Sequence, residues 1–199
     1  MKQTKLIISL FLVSCFFASC HNNDGPSRDD IKKMKETAEE WKPYLSDNYQ
    51  EGDSVYFLRT DLATQETQVE GFVVEASLFF ERGYEQEDDL LSYKDEENAS
   101  FSYVIEGYTD AVKLSSTQTR MGIELEVDYN EDNKSIYENC GLCIIYNRNF
   151  YSCYEVRHMT IDEDYITVTS CSDKCTMQRN VGIISFSNDQ YSWELIEKN

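Results

Sequence analysis

The sequence predicts an all-β fold carrying one N-terminal helix. Its strands are expected to run as an antiparallel meander forming a curled sheet or barrel, with a two-sheet sandwich as the alternative. Three observations predict this. From residue 54 onward, apolar residues recur at every second position in short runs. Polar turn signals separate these runs, in an order that rarely demands a crossover. Residues suited to pleated strands abound, with 14 Tyr and 10 Phe against two Pro. Helical spacing is convincing in one stretch only, residues 27–41.

The first segment is expected to be removed. Lys2 and Lys5 precede an apolar run from Leu6 to Ala18, small residues follow, and Cys20 comes next. A basic start, a short apolar middle and small residues before a cut describe an export signal. The run is shorter than the roughly 20 residues that span a bilayer. Phe17-Ala18-Ser19-Cys20 resembles a lipobox, the cleavage site of bacterial lipoproteins. That resemblance implies palmitate-type acyl chains on Cys20 and a membrane anchor. Each buried methylene of such chains contributes about 0.8 kcal/mol. Leu12-Val13-Ser14-Cys15 offers an alternative cut, but one that leaves Phe16 and Phe17 in the tether, so Cys20 is preferred. The polar, acidic stretch after Cys20 is similar to the tethers of Bacteroidota lipoproteins. It implies an outer-membrane location, periplasmic or surface-exposed. The organisation is then a signal peptide over 1–19, a lipidated flexible tether over 20–27, and a single β-rich domain over 28–199.

Ser27 can cap the helix, with Asp30 completing a capping box, and Asp29 and Asp30 suit the positive end of the helix dipole. Ile31, Met34, Ala38 and Trp41 form its apolar stripe, read as packing onto a sheet, and Pro43 ends it at Lys42. Residues 54–60 form a first strand, with Val55, Phe57 and Arg59 on one face. Residues 67–81 form a long second strand, with Gly71 marking a bulge. Residues 82–97 are read as a long solvated acidic loop around Leu90, Leu91 and Tyr93, with a helical turn as the alternative within it. Strands over 99–106 and 111–115 are joined by a turn at 107–110. In residues 120–129, Met121, Ile123, Leu125 and Val127 alternate with acidic residues, as a strand with one wet face does. A turn follows at 130–135. Residues 142–146 and 150–158 form a hairpin around 147–149, and residues 165–170 follow with Ile166 and Val168 inward.

In the last hairpin, Asn188 and Asp189 serve as a two-residue turn. Phe186 then faces Tyr191, Ile184 faces Trp193 and Gly182 faces Leu195, placing the large apolar residues on one side. Gly182-Ile-Ile-Ser-Phe186 followed by Trp193-Glu-Leu195 resembles the closing hairpin of several Bacteroidota lipoproteins of unestablished function. It carries no catalytic residue to transfer.

Charge excludes a class of partners. The net charge is −19, and removal of residues 1–19 takes away two lysines and no acids, leaving −21. Such a chain repels phosphate backbones, so nucleic acid is not an expected partner, and membrane attachment falls to the acyl chains.

Five cysteines follow Cys20, an odd number that permits at most two bridges. Cys140-Gly-Leu-Cys143 has redox spacing, but Cys143 opens a strand, where no helix dipole lowers a thiol pKa. Cys140, Cys143, Cys171 and Cys175 are a weaker candidate for a four-thiolate zinc site. Disulfides or buried thiols are preferred, and a hairpin about Asp162 sets Cys153 opposite Cys171. Asp128, Asn130 and Asp132 have the alternation of a calcium loop, although Asn133 stands where glycine is usual and Glu138 comes one residue early. A solvated acidic turn is preferred there. His158, alone outside the tether, is read as a turn or surface histidine. No cofactor and no catalytic residue are assigned.

Tyr and Trp on a sheet face suit sugars or small apolar ligands, beside their ordinary role in packing. The leading expectation is a lipid-anchored, non-enzymatic binding module for a glycan, a small ligand or a protein partner. An acid-based hydrolase and a structural accessory of an outer-membrane assembly are the other classes. A pocket joining Tyr or Trp to two close carboxylates would favour the hydrolase.

Overall fold

A computed structural model describes residues 25–85, 103–146, 154–155, 158–170 and 172–198. Helix α1 (Arg28–Trp41) opens with the expected capping box: the Asp30 N–H donates to Ser27 Oγ at 3.2 Å, and the Ser27 N–H donates to Asp30 Oδ2 at 3.1 Å. Met34, Ala38 and Trp41 are buried and Ile31 packs beside them. After Trp41 the chain tightens into two 3-10 turns, Lys42–Tyr44 and Ser46–Asn48.

Among the described residues eleven strands follow: β1 (Ser54–Asp61), β2 (Thr67–Glu85), β3 (Tyr103–Ser115), β4 (Thr119–Asn130), β5 (Ser135–Tyr146), β6 (Tyr154–Glu155), β7 (His158–Ile161), β8 (Tyr165–Ser170), β9 (Asp173–Gln178), β10 (Gly182–Ser187) and β11 (Tyr191–Lys198). All pairings are antiparallel, in one sheet of order β6-β5-β4-β3-β2-β1-β11-β10-β9-β8-β7. The two edge strands are neighbours in sequence. Glu155 and His158 are joined by a chain that reaches about 10 Å at most, so the sheet has to curl until its edges meet. Accordingly β5 packs across the seam against β7, β8 and β9. The result is a nearly closed barrel-like sheet rather than a two-sheet sandwich.

The inner face carries the core. Phe57, Phe72 and Phe186 meet edge to face, with centroids 5.0–5.7 Å apart, and Phe186 stacks on Trp193 at 4.8 Å. Each such fully buried side chain contributes on the order of 1.5–3 kcal/mol. Helix α1 lies against β3 and β4. The 3-10 segment is pinned to the strands around it. Tyr44 Oη donates to the Glu163 carbonyl at 2.9 Å, Ser77 Oγ to the Ser46 carbonyl at 3.1 Å, and the Ile183 N–H to Tyr49 Oη at 2.7 Å. Side chains and this helical plug therefore fill the interior.

Several expectations are corrected. Residues 107–110 are not a turn, since β3 runs unbroken through them. Gly107 is there because a Cβ would stand 2.5 Å from the Val127 carbonyl, and Asp110 points inward under the plug. Gly71 sits in regular register opposite Tyr56, whose ring occupies the space a Cβ would take at 3.1 Å. The irregularities of β2 fall instead at 74–76 and 82–83. In the last hairpin Phe186 faces Trp193, two residues from the expected register. Asn188 Oδ1 accepts from the N–H groups of Gln190 and Tyr191 and makes a longer loop. A two-residue shift keeps each face, so Phe186 and Trp193 still point inward. A bulge at Ile184 brings in Ile183 in its place.

β9 was not expected at all, although Cys175 and Met177 alternate inward within it. β5 begins seven residues before the expected strand, because its first half runs over a polar surface. Arg82–Glu85 belong to β2, while the rest of the expected loop over 82–97 lies outside the described residues. Much of the strand expected at 150–158 lies outside them as well.

Candidate functional site

At the end of the barrel away from the plug, Arg59 points inward as its place in β1 dictates. Its guanidinium lies 5.1 Å from the ring centroids of both Tyr146 and Tyr191. Nη1 donates to Gln118 Oε1 and Tyr146 Oη, each at 2.8 Å, and Nη2 donates to Gln68 Oε1 at 3.0 Å. Glu70 is buried beside it. One carboxylate oxygen accepts from the Ser116 hydroxyl, and the other accepts from Trp193 Nε1 at 2.9 Å. Aromatics and a carboxylate do converge here, but every group is committed to its neighbours. The cluster fills this end of the barrel, and Asp61 is a second carboxylate near enough to act on Arg59 and Tyr191.

The outer face of β3, β4 and β5 is different. Cross-strand register sets Lys113 opposite Gly122, Gly122 opposite Cys143, and Glu124 opposite Gly141. Gly122 and Gly141 are thus diagonal neighbours in mid-strand, where a glycine weakens the strand and normally needs a reason. Neither has a left-handed φ. A Cβ on Gly122 would meet Lys113 Cγ at 3.8 Å, and one on Gly141 would meet Glu124 at 3.8 Å, both ordinary contact distances. Neither backbone conformation nor packing demands these glycines. Their effect is to leave an open groove of about 500 Å³, walled by Lys113, Arg120, Glu124, Asn139, Cys143 and Ile145. Lys113 and Arg120 are exposed and make no ion pair among the described residues.

At the acidic end of the groove, which Glu126 also lines, Arg82 passes over Gly107 to reach two carboxylates. Its Nη1 lies 3.1 Å from Glu126 Oε1, and Nη2 pairs with Asp128 Oδ1. Burial opposes the charge on Arg82, but the Asp128 and Glu126 carboxylates outweigh it and hold the pKa above the usual arginine value.

The three residues of the calcium candidate have other partners or face solvent. Asp128 is neutralised by Arg82, Asn130 Oδ1 accepts from the N–H groups of Asp132 and Asn133 to shape the turn, and Asp132 is exposed. Of the four cysteines of the zinc candidate, Cys140, Cys143 and Cys175 are described, and they are not brought together. Residues 140 and 143 differ by an odd number, so a strand sends their side chains to opposite faces. Cys143 lies on the outer face in a disulfide whose partner is outside the described residues. Cys140 and Cys175 are free and buried inside, and burial raises the Cys140 thiol to about 11 and the Cys175 thiol further. Cys15, Cys20, Cys153 and Cys171 lie outside the described residues. The hairpin of β7 and β8 pairs His158 with Thr169, three residues away from the register about Asp162 that set Cys153 opposite Cys171. His158 itself is exposed. Among the described residues no three His, Cys, Asp or Glu side chains cluster as a metal site, and no helix is long and apolar enough to cross a membrane.

Sequence reasoning missed the groove. Its signal was Gly122 interrupting an otherwise regular alternation, while Gly141 was hidden inside a cysteine motif. Comparison with protein-family models, with curated proteins and with solved structures finds no match.

Proposed function

We propose that this chain is a non-enzymatic binding module of the bacterial cell envelope, held on the outer membrane through acyl chains on Cys20 and presenting the β3–β4–β5 groove to its ligand. The observation that carries the reading is the pair of glycines at 122 and 141. Two mid-strand glycines with room for larger side chains sacrifice strand stability, and they gain an open surface that something else can approach. The volume is that of a small-ligand site. The packed interior favours an external site over a ligand held inside the barrel. The anchor rests on the lipobox-like segment before Cys20.

Two experiments test the two halves. Wild-type and Cys20→Ala protein are compared by membrane fractionation in the native host. The variant is expected in the soluble fraction, and its retention with membranes contradicts the anchor. Separately, solubilised envelope extract is passed over immobilised full-length protein and over a Gly122→Leu/Gly141→Leu variant shown to be folded by its melting curve. The variant is expected to lose what the wild type retains, and equal retention contradicts the groove.

A further inference from the structure

The groove has two chemically different ends. Lys113 on β3 and Arg120 on β4 lie diagonally across the strand pair, since Lys113 faces Gly122 and Arg120 faces Ser115. On a chain of net charge −19 they set two cations side by side in one groove, and neither makes an ion pair among the described residues. Glu75 also borders the groove, on the β2 side of Lys113. At the other end stand Glu124 and Asn139, followed by Glu126, which Arg82 already neutralises. Between the ends the floor is the bare backbone of Gly122 and Gly141.

Resting on the binding role argued above, we infer that the groove takes a sugar acid: a saccharide with one carboxylate and a hydroxyl-rich body. A single anionic group is matched by Lys113 and Arg120, which can both donate charge-assisted hydrogen bonds to it. A polyanion is disfavoured, because Glu75 and Glu124 stand in the same groove and the whole chain repels negative charge. A cationic ligand would meet the Lys113 and Arg120 end. An apolar ligand would strip water from four charged side chains and return no partner to them. Hydroxyl groups suit the remaining wall, because Glu124 accepts hydrogen bonds and the Asn139 side chain has both donors and an acceptor. A pyranose ring can lie against a floor without side chains, and about 500 Å³ accommodates a ligand of disaccharide size.

The test uses the ¹⁵N-labelled full-length chain in neutral detergent, titrated with a glucuronic-acid-terminated disaccharide and with its glucose-terminated counterpart. The acid is expected to shift the Gly122 and Gly141 amide signals and to bind about tenfold more tightly than the neutral sugar, the effect of one net charge-assisted contact. The Lys113→Gln/Arg120→Gln variant is expected to bind both sugars equally, with the Trp193 indole signal unchanged as a sign of an intact core. Equal binding of both sugars by the wild type, or a preference that survives in the variant, overturns the assignment of a sugar acid and leaves the groove as the binding surface. Failure of either sugar to shift these amides also overturns the assignment, while retention of envelope material by the wild type and its loss from the leucine variant would still support the groove. Shifts confined to the outer face of β1 and β11 overturn both.

Discussion

Asp110 and Gly107 show how single residues set the behaviour of β3. Asp110 is fully buried, and neither of its carboxylate oxygens has a hydrogen-bond partner among the described residues. Burial pushes its carboxyl from 3.8 up to about 6, Asp47 adds to the effect, and Ser46 and Lys42 partly offset it. Because the folded pKa lies above the unfolded one, the folded state binds more protons between the two values. The contribution of Asp110 to stability should therefore fall as pH rises from 3.8 to about 6 and stay level above that. Asp110→Asn is expected to stabilise the protein by about 2–3 kcal/mol at pH 7 and by little below pH 4, as read from urea melts at the two pH values. Gly107→Ala should have the opposite effect. Its methyl would collide with the Val127 carbonyl and with Asp128, costing about 1–3 kcal/mol and loosening the Arg82 pair. Neither role was legible in the sequence. Gly-Tyr-Thr-Asp has the composition of a turn, and only the approach of β4 reveals why a glycine and an acid stand in mid-strand.

At the scale of elements, legibility followed local physics. Helix α1 could be read because its cap, its dipole-matched acids, its apolar stripe and its proline stop all lie within one short segment. β4 could be read because its wet face is acidic and its dry face aliphatic. β9 could not, because Asp-Lys-Cys-Thr-Met-Gln offers only two apolar side chains, and their burial is supplied by strands distant in sequence. Register was the least legible property, since a two-residue slip preserves both faces. The same parity rule makes a chemical prediction. β6 pairs Gly141 with Glu155 and Leu142 with Tyr154, and the expectation comes from extending that register by one step. Non-reducing peptide mapping is expected to join Cys143 to Cys153, and a link to Cys171 would contradict the extended register. Under native conditions Cys140 and Cys175 should resist alkylation, as buried thiols with raised pKa values do, and should react after denaturation.

At the scale of the whole molecule, a curled sheet closes upon a packed core and a helical plug, so the chemistry available to partners lies on its outside. The barrel was legible because alternating strands with short turns leave few other layouts. The groove was not, because it depends on which residues become diagonal neighbours across β4 and β5. If its two glycines are kept for access, replacing them should not harm the fold: Gly122→Ala and Gly141→Ala are each expected to raise stability by about 0.5–1 kcal/mol in a thermal or urea melt. The outer face of β1, β2 and β11 is the competing surface, since Val69, Val73 and Ile196 are each about half exposed there. Hydrogen–deuterium exchange of the full-length protein, with and without solubilised envelope extract, separates the two most directly. The account predicts new protection in peptides covering residues 119–126 and 139–145 and none in those covering 54–61 and 191–198. Protection confined to the latter peptides, or no change in either set, would contradict it.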